Sequence, residues 1–176
     1  GESIKVKSKK KRGKASREWL QRQLNDPFVR QAKAEGYRGR AVYKIKEMDN
    51  NFNLIKNGQN IVDLGCAPGS WVQHIVEKTG GNAKIIGVDL LEIEPIKQCH
   101  FIKGDFTEYD CLEEINAAVD GKKLDVVLSD MAPNTTGHSK TDHIRIMNML
   151  EIALDFAIIN LVDNGDFVAK VFLGGT

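Results

Sequence analysis

At 176 residues, 41% hydrophobic and 28% charged, the chain suits one soluble globular domain with a sizeable core and is short for two. No apolar run approaches the roughly 20 residues that span a bilayer, no leader peptide is apparent, and three irregularly spaced cysteines, Cys66, Cys99 and Cys111, argue against a disulfide framework or a C-x-x-C zinc site and for reduced thiols. The net charge of +1 hides an asymmetry: residues 1–46 carry 15 Lys and Arg against 4 Asp and Glu, the remainder 10 against 20. A basic arm on an acidic body predicts a polyanionic partner.

Residues 1–15 are basic and low in complexity, and are expected to form a disordered tail because they cannot bury enough apolar surface to order themselves. Residues 16–58 read as a basic helical extension. A short helix opens at Ser16, its candidate cap, and is interrupted at Pro27. A second helical piece runs from Phe28 to Glu35 and stops near Gly36. After Arg38-Gly39-Arg40 a helix is predicted from about Ala41 to Phe52, with Val42, Ile45, Met48 and Phe52 on one apolar face and Lys44 off that stripe, toward a cleft. Lys56–Gln59 is a turn.

From residue 59 to 176 strands alternate with helices. Strands are predicted over Asn60–Leu64, Lys84–Val88, Cys99–Lys103, Leu124–Ser129 and Asp166–Leu173. Helices are predicted over Ser70–Lys78, Asp110–Val119 and Thr141–Val162, the last with Ile144, Met147, Leu150 or Glu151, Leu154 and Ile158 near one face and ended by Asn164-Gly165. Met131–Lys140 is a Pro, Gly, Asn and Thr loop. This alternation predicts an α/β fold: a mostly parallel twisted sheet, doubly wound, with helices on both faces. The chain stops just after the fifth strand, so the expectation is a sheet whose last strands lie beyond Thr176.

Five features fall where strands end: Gly65–Trp71, Asp89, Asp105, Asp130 and Lys170. In an open α/β sheet these ends face one crevice. Gly65 and Gly69 let backbone approach a ligand. Their G-x-x-x-G spacing, with Pro68 removing an N–H, is not the G-x-G-x-x-G that holds a pyrophosphate on a helix N-terminus. The turn suits a cofactor without phosphates, and S-adenosylmethionine fits; a plain strand-to-helix turn is the alternative. Asp89, 20 residues after Gly69, is placed to accept both ribose hydroxyls of an adenosine. Asp105 is a candidate partner of an adenine amino group, or the start of an Asx turn. Asp130 begins Asp130-Met131-Ala132-Pro133, and its carboxylate suits the sulfonium and ammonium end of the cofactor. The absence of an aromatic after Pro133 argues against methylation of a base amino group. Lys44 and Lys170 are the candidate cations for steering or deprotonating a ribose hydroxyl. His138, Asp142 and His143 lack the pairing of a metal site, and no metal is assigned.

The motifs Tyr37-Arg38-Gly39-Arg40-Ala41-Val42-Tyr43-Lys44, Val62-Asp63-Leu64-Gly65-Cys66-Ala67-Pro68-Gly69-Ser70-Trp71, Gly87-Val88-Asp89, Gly104-Asp105-Phe106, Ser129-Asp130-Met131-Ala132-Pro133 and Lys170-Val171-Phe172 occur in this order. The chain resembles the FtsJ-type ribosomal RNA 2′-O-ribose methyltransferases from residue 16 onward. The resemblance implies a Rossmann-like methyltransferase fold that uses S-adenosylmethionine. It also implies a uridine in the A-loop of large-subunit rRNA as substrate, within an assembled subunit, and a monomeric enzyme of the bacterial cytoplasm, with a mitochondrial setting as the lesser alternative. It maps the catalytic lysine, aspartate and lysine onto Lys44, Asp130 and Lys170, with Lys170 as proton acceptor. Cofactor contacts map onto Gly69, Trp71, Asp89, Asp105 and Asp130, beside Gly65. A catalytic-site glutamate of the family is expected beyond Thr176. RNA contacts are expected from Arg17, Arg38, Arg40 and Lys44, with Trp19, Phe28 and Tyr37 available to stack on unpaired bases. Methylation of another RNA, or a non-catalytic RNA-binding assembly factor, are the alternatives. A nicotinamide oxidoreductase is disfavoured by the missing pyrophosphate fingerprint.

Overall fold

The computed structural model describes residues 14–130 and 138–171; most of the basic tail, most of the predicted Met131–Lys140 loop and the residues after Val171 lie outside them. Three helices come first: α1 (Lys14–Asn25), α2 (Pro27–Ala34) and α3 (Val42–Phe52). They are followed by β1 (Asn60–Leu64), α4 (Ser70–Thr79), β2 (Lys84–Asp89), β3 (Cys99–Lys103), α5 (Tyr109–Ala118), β4 (Leu124–Ser129), α6 (Ser139–Asn160) and β5 (Leu161–Ala169). α1 begins at Lys14, so Ser16 lies inside the helix and not at its start. The chain re-enters helix at Pro27 because a proline in the first turn forgoes an N–H that has no partner there anyway. The Asp26 carboxylate accepts from the next free donors, Phe28 N at 2.8 Å and Val29 N at 3.3 Å.

All five strands are parallel, in the order β3-β2-β1-β4-β5. β1 is central: Val62 sits between Ile86 and Val127. A strand covered on both faces must be apolar on both. Ile61, Ile85, Val126 and Leu128 pack against Val42 and Ile45 of α3 and Trp71, Val72 and Ile75 of α4. Val62, Leu64, Ile86, Val88 and Val127 pack against Cys111 and Ile115 of α5 and Ala153, Phe156 and Ala157 of α6. The sheet therefore carries helices on both faces. The chain winds outward from β1 to β3 and then returns to β4, which makes the boundary between β1 and β4 the switch point where an α/β sheet opens a crevice at its carboxyl end.

Three further sequence expectations are corrected. Phe52 is 73% exposed and leaves the apolar face of α3; that face instead includes the buried Asp49. On α6 Ile144, Met147, Leu154 and Ile158 of the predicted stripe are exposed and Leu150 is half-buried, while Ala153, Phe156 and Ala157 face the sheet. The helix is apolar on more than one side, and its alanines allow the closest approach. β5 begins at Leu161, five residues before Asp166, because Leu161 pairs with Leu124 and, after an irregularity, Asp166 pairs with Val126. Asn164-Gly165 is thus a kink within the strand and not a stop after the helix. A Cβ on Gly165 would stand 3.1 Å from the carbonyl oxygens of Asp125 and Val162.

Candidate active site

The turn after β1 is bound back onto β2: the Gly65 and Cys66 amides both donate to the Val88 carbonyl, at 2.8 and 3.0 Å. Gly69 stands at the head of α4 with φ 112°, a left-handed conformation that favours glycine. A Cβ there would lie 2.8 Å from Ile96 Cδ1. Cys66 is a buried turn residue whose thiol is pushed up by burial. Trp71 is 2% exposed and donates its indole N–H to the Ala41 carbonyl at 2.8 Å, which joins α4 to the start of α3.

The strand-end acids converge on this turn, each with a different set of partners. Asp89 accepts from Ala67 N at 2.8 Å and from Leu91 N at 2.9 Å, so it ties the turn to the end of β2. One oxygen of Asp105 takes both the amide and the hydroxyl of Thr107, at 2.9 and 2.6 Å, which makes it the head of an Asx turn. Asp130 meets Lys170 at 3.6 Å, the two side chains 27% and 50% exposed. They are brought together because their strands neighbour each other: the Lys170 amide donates to the Ser129 carbonyl at 2.8 Å and the Asp130 amide to Leu64 at 3.2 Å. Burial pushes the Asp130 carboxyl above its usual range, and the Lys170 ammonium pulls it part of the way back.

Asp63 received no role from the sequence. It lies in β1 at 1% exposure, and neither carboxylate oxygen has a hydrogen-bond partner among the described residues. Burial first, then the neighbouring Asp130 and Asp89 carboxylates, hold it well above the usual carboxylate range. Such an orphan is costly unless a ligand completes it. The signal was present in the sequence: an acid inside the apolar run Ile61-Val62-Asp63-Leu64.

Two adjoining cavities share Gly65, Ala67 and Asp130. One, of about 250 Å³, is lined by Asp89, Leu90, Leu91, Asp105, Phe106 and Met149 among others. The other, of about 440 Å³, reaches from Asp63 and Trp71 to Tyr37, Arg38 and Arg40 of the N-terminal extension. A cavity between two carboxylates joined to one with an orphaned carboxylate is suited to a ligand with a hydroxylated, flat end and a cationic end.

The remaining predicted residues are distributed differently. Lys44 lines neither cavity; it is 57% exposed and pairs with Glu47 one turn along α3, at 3.8 Å. Arg17 is exposed on α1. Arg40 pairs with Asp26 and lies over the Phe28 ring, 4.9 Å from its centre. Arg38 donates to the carbonyls of Pro68, Glu94 and Pro95.

Residues 37–176 match the model of the FtsJ-like methyltransferase family. The chain belongs to that family. It is 49% identical over 173 residues to the ribosomal RNA large subunit methyltransferase E of Acidiphilium cryptum, which covers 98% of this chain and 76% of that protein. It is 51% identical over 171 residues to the protein of the same name from Novosphingobium aromaticivorans, covering 97% and 76%. Among solved structures it is similar to one named as a ribosomal RNA methyltransferase of Plasmodium falciparum, with 32% identity, a TM-score of 0.73, and 79% and 80% of the two chains covered. The FtsJ-like fold expected from the sequence is the fold observed, and the crevice between β1 and β4 lies within the matched span.

Proposed function

We propose that this FtsJ-like methyltransferase transfers a methyl group from S-adenosylmethionine to the 2′-hydroxyl of a ribose in large-subunit ribosomal RNA. The observation that carries this reading is the Asp130–Lys170 pair, at the carboxyl ends of adjacent strands and beside the cavity lined by Asp63. The names of the bacterial relatives support rRNA as the substrate class. A uridine of the A-loop in the assembled large subunit, approached by a monomer in the bacterial cytoplasm, is the specific form of the proposal.

The residues present fit the cofactor. Asp89 and Asp105 flank the space suited to the adenosine, each with lone pairs left beyond its turn contacts. Asp63 and Asp130 suit the cationic amino-acid end, where a bound ammonium would give Asp63 its missing partner. When bound, S-adenosylmethionine supplies a methyl group on a positively charged sulfur. The protein's own task is to bring a poor nucleophile, the ribose hydroxyl, into line and to receive its proton. Lys170 Nζ receives that proton as the free amine, with an open lone pair, and becomes the ammonium, which Asp130 orients and balances from 3.6 Å. Lys44, on an exposed face of α3, serves by meeting RNA as it docks or by swinging toward the oxygen.

The test is transfer of labelled methyl from S-adenosylmethionine to large subunits. Lys170→Ala is expected to lower kcat by about 100-fold or more, the range of a general base, and a 2′-deoxy target nucleotide to abolish transfer. Transfer that survives the deoxy substitution would move the chemistry to a base and overturn the proposal.

A further inference from the structure

The sequence assigns Arg38 to RNA as one of several cations in a basic arm. Its surroundings give it other work. The linker between α2 and α3 is held along α4 by the Gln73 amide, which donates to Gly36 O at 3.2 Å and accepts from Arg38 N at 2.8 Å. Tyr37 adds a bond from its hydroxyl to Glu77 at 2.6 Å, and Trp71 reaches Ala41. From this anchored backbone the Arg38 guanidinium extends to three carbonyls. Nη1 donates to Pro68 at 3.1 Å and to Glu94 at 2.5 Å, and Nη2 donates to Pro95 at 3.2 Å. Pro68 belongs to the turn after β1, and Glu94 and Pro95 to the connection that leaves β2. A Cβ on Gly69 would stand 3.4 Å from Arg38 Nη1, so the guanidinium packs directly on the turn.

We infer that Arg38 is a positioning residue: its guanidinium joins the Gly65–Gly69 turn to the Glu94–Pro95 connection and holds the turn in the shape that receives S-adenosylmethionine. This rests on the reading of the crevice as a cofactor site. The demand is specific to arginine. A planar fork with five N–H groups on three nitrogens spans three acceptors on two segments, whereas a lysine ammonium gathers its three donors on one atom and cannot spread them in that way. Three of the five N–H groups are committed to carbonyls of the chain itself, which leaves two for any phosphate.

The two roles separate in three measurements on the full chain, using Arg38→Ala and Arg38→Lys. Hydrogen exchange of the amides in residues 65–72, without cofactor, is expected to speed by at least 10-fold in both variants while protection of β1 and β4 is retained. The Kd for S-adenosylhomocysteine by calorimetry, and KM for S-adenosylmethionine, are expected to rise by about 10-fold or more, with kcat at saturating cofactor within about 3-fold, and lysine is not expected to rescue. The slope of log affinity against log salt for an RNA hairpin is expected to be unchanged. A slope lowered by about one, the signature of a lost phosphate contact, would overturn the inference, as would unaltered exchange in residues 65–72 or full rescue by lysine. Exchange reads the turn without any ligand. A wild-type chain that fails to bind S-adenosylhomocysteine would therefore count against the cofactor reading, while faster exchange in the variants would still establish the strap.

Discussion

At the scale of single residues, the decisive features are polar groups whose partners are wrong for a purely structural role. Asp63 is the clearest: a carboxylate with no donor among the described residues, in a strand covered on both sides, within reach of two other acids. Its raised pKa fixes the sign of its effect. The folded state holds the proton more tightly than the unfolded chain does, so Asp63 favours folding below the unfolded value of about 4, and that contribution is lost as pH rises toward the folded value. Asp63→Asn removes this dependence. In urea melts without cofactor, the variant is expected to gain on the wild type as pH is raised from 4 to 8, by on the order of 1 kcal/mol at the alkaline end. Its affinity for S-adenosylhomocysteine is expected to fall at least 10-fold. Wild-type affinity in the variant would remove Asp63 from the site. Asp105 carries the contrasting lesson. The sequence left a ligand contact and an Asx turn open, and the observed turn uses one oxygen and leaves the other available.

At the scale of elements, the question is how the N-terminal helices are fixed to the sheet. Asp49 of α3 is buried and accepts from Ile55 N at 2.9 Å, from Lys78 Nζ at 2.6 Å, and bonds His74 Nε2 at 2.8 Å. Lys78 and His74 both belong to α4, so one carboxylate joins the two helices and the strand entry that follows. Burial alone would raise the Asp49 carboxyl; the Lys78 ammonium, the Ile55 amide and His74 outweigh it and hold it below its usual value. The stabilisation is therefore present above the unfolded pKa of about 4 and lost as pH falls through the folded one. Asp49→Ala strands Lys78 and His74 and is expected to cost about 3 kcal/mol in urea denaturation at pH 7, with a shallower loss of stability in acid than the wild type shows. A cost below about 0.5 kcal/mol would mean that the helices are held by apolar packing alone.

At the scale of the whole molecule, charge and topology divide the labour. The basic arm belongs to one end of the chain, and the acids gather where β1, β2, β3 and β4 end. Seven of the Lys and Arg residues lie in the first 15 positions. Deleting those positions is expected to weaken RNA binding and to reduce its salt dependence by close to one in log–log slope for each phosphate contact removed, while cofactor affinity stays within about 2-fold. Filter binding across a salt series checks this, and unchanged RNA affinity would assign the arm no part in binding.

Much of the fold was legible because its signals are local. Hydrophobic runs bounded by Gly, Pro and Asp mark β1 to β4 within a residue, and the acids at their ends are visible without coordinates. The places where the sequence misled share a cause. α6 has apolar residues on several sides, so spacing did not choose the buried one, and the Asn164-Gly165 kink inside β5 has the composition of a terminator. Local pattern determined that this is an alternating α/β chain with a glycine turn and a row of acids. Only the tertiary structure decided the strand order that sets Asp130 beside Lys170, left Asp63 without a donor among the described residues, and turned Arg38 onto carbonyls at Glu94 and Pro95. Periodicity reports on neighbours a few residues away, whereas these contacts join residues about 40 to 57 positions apart.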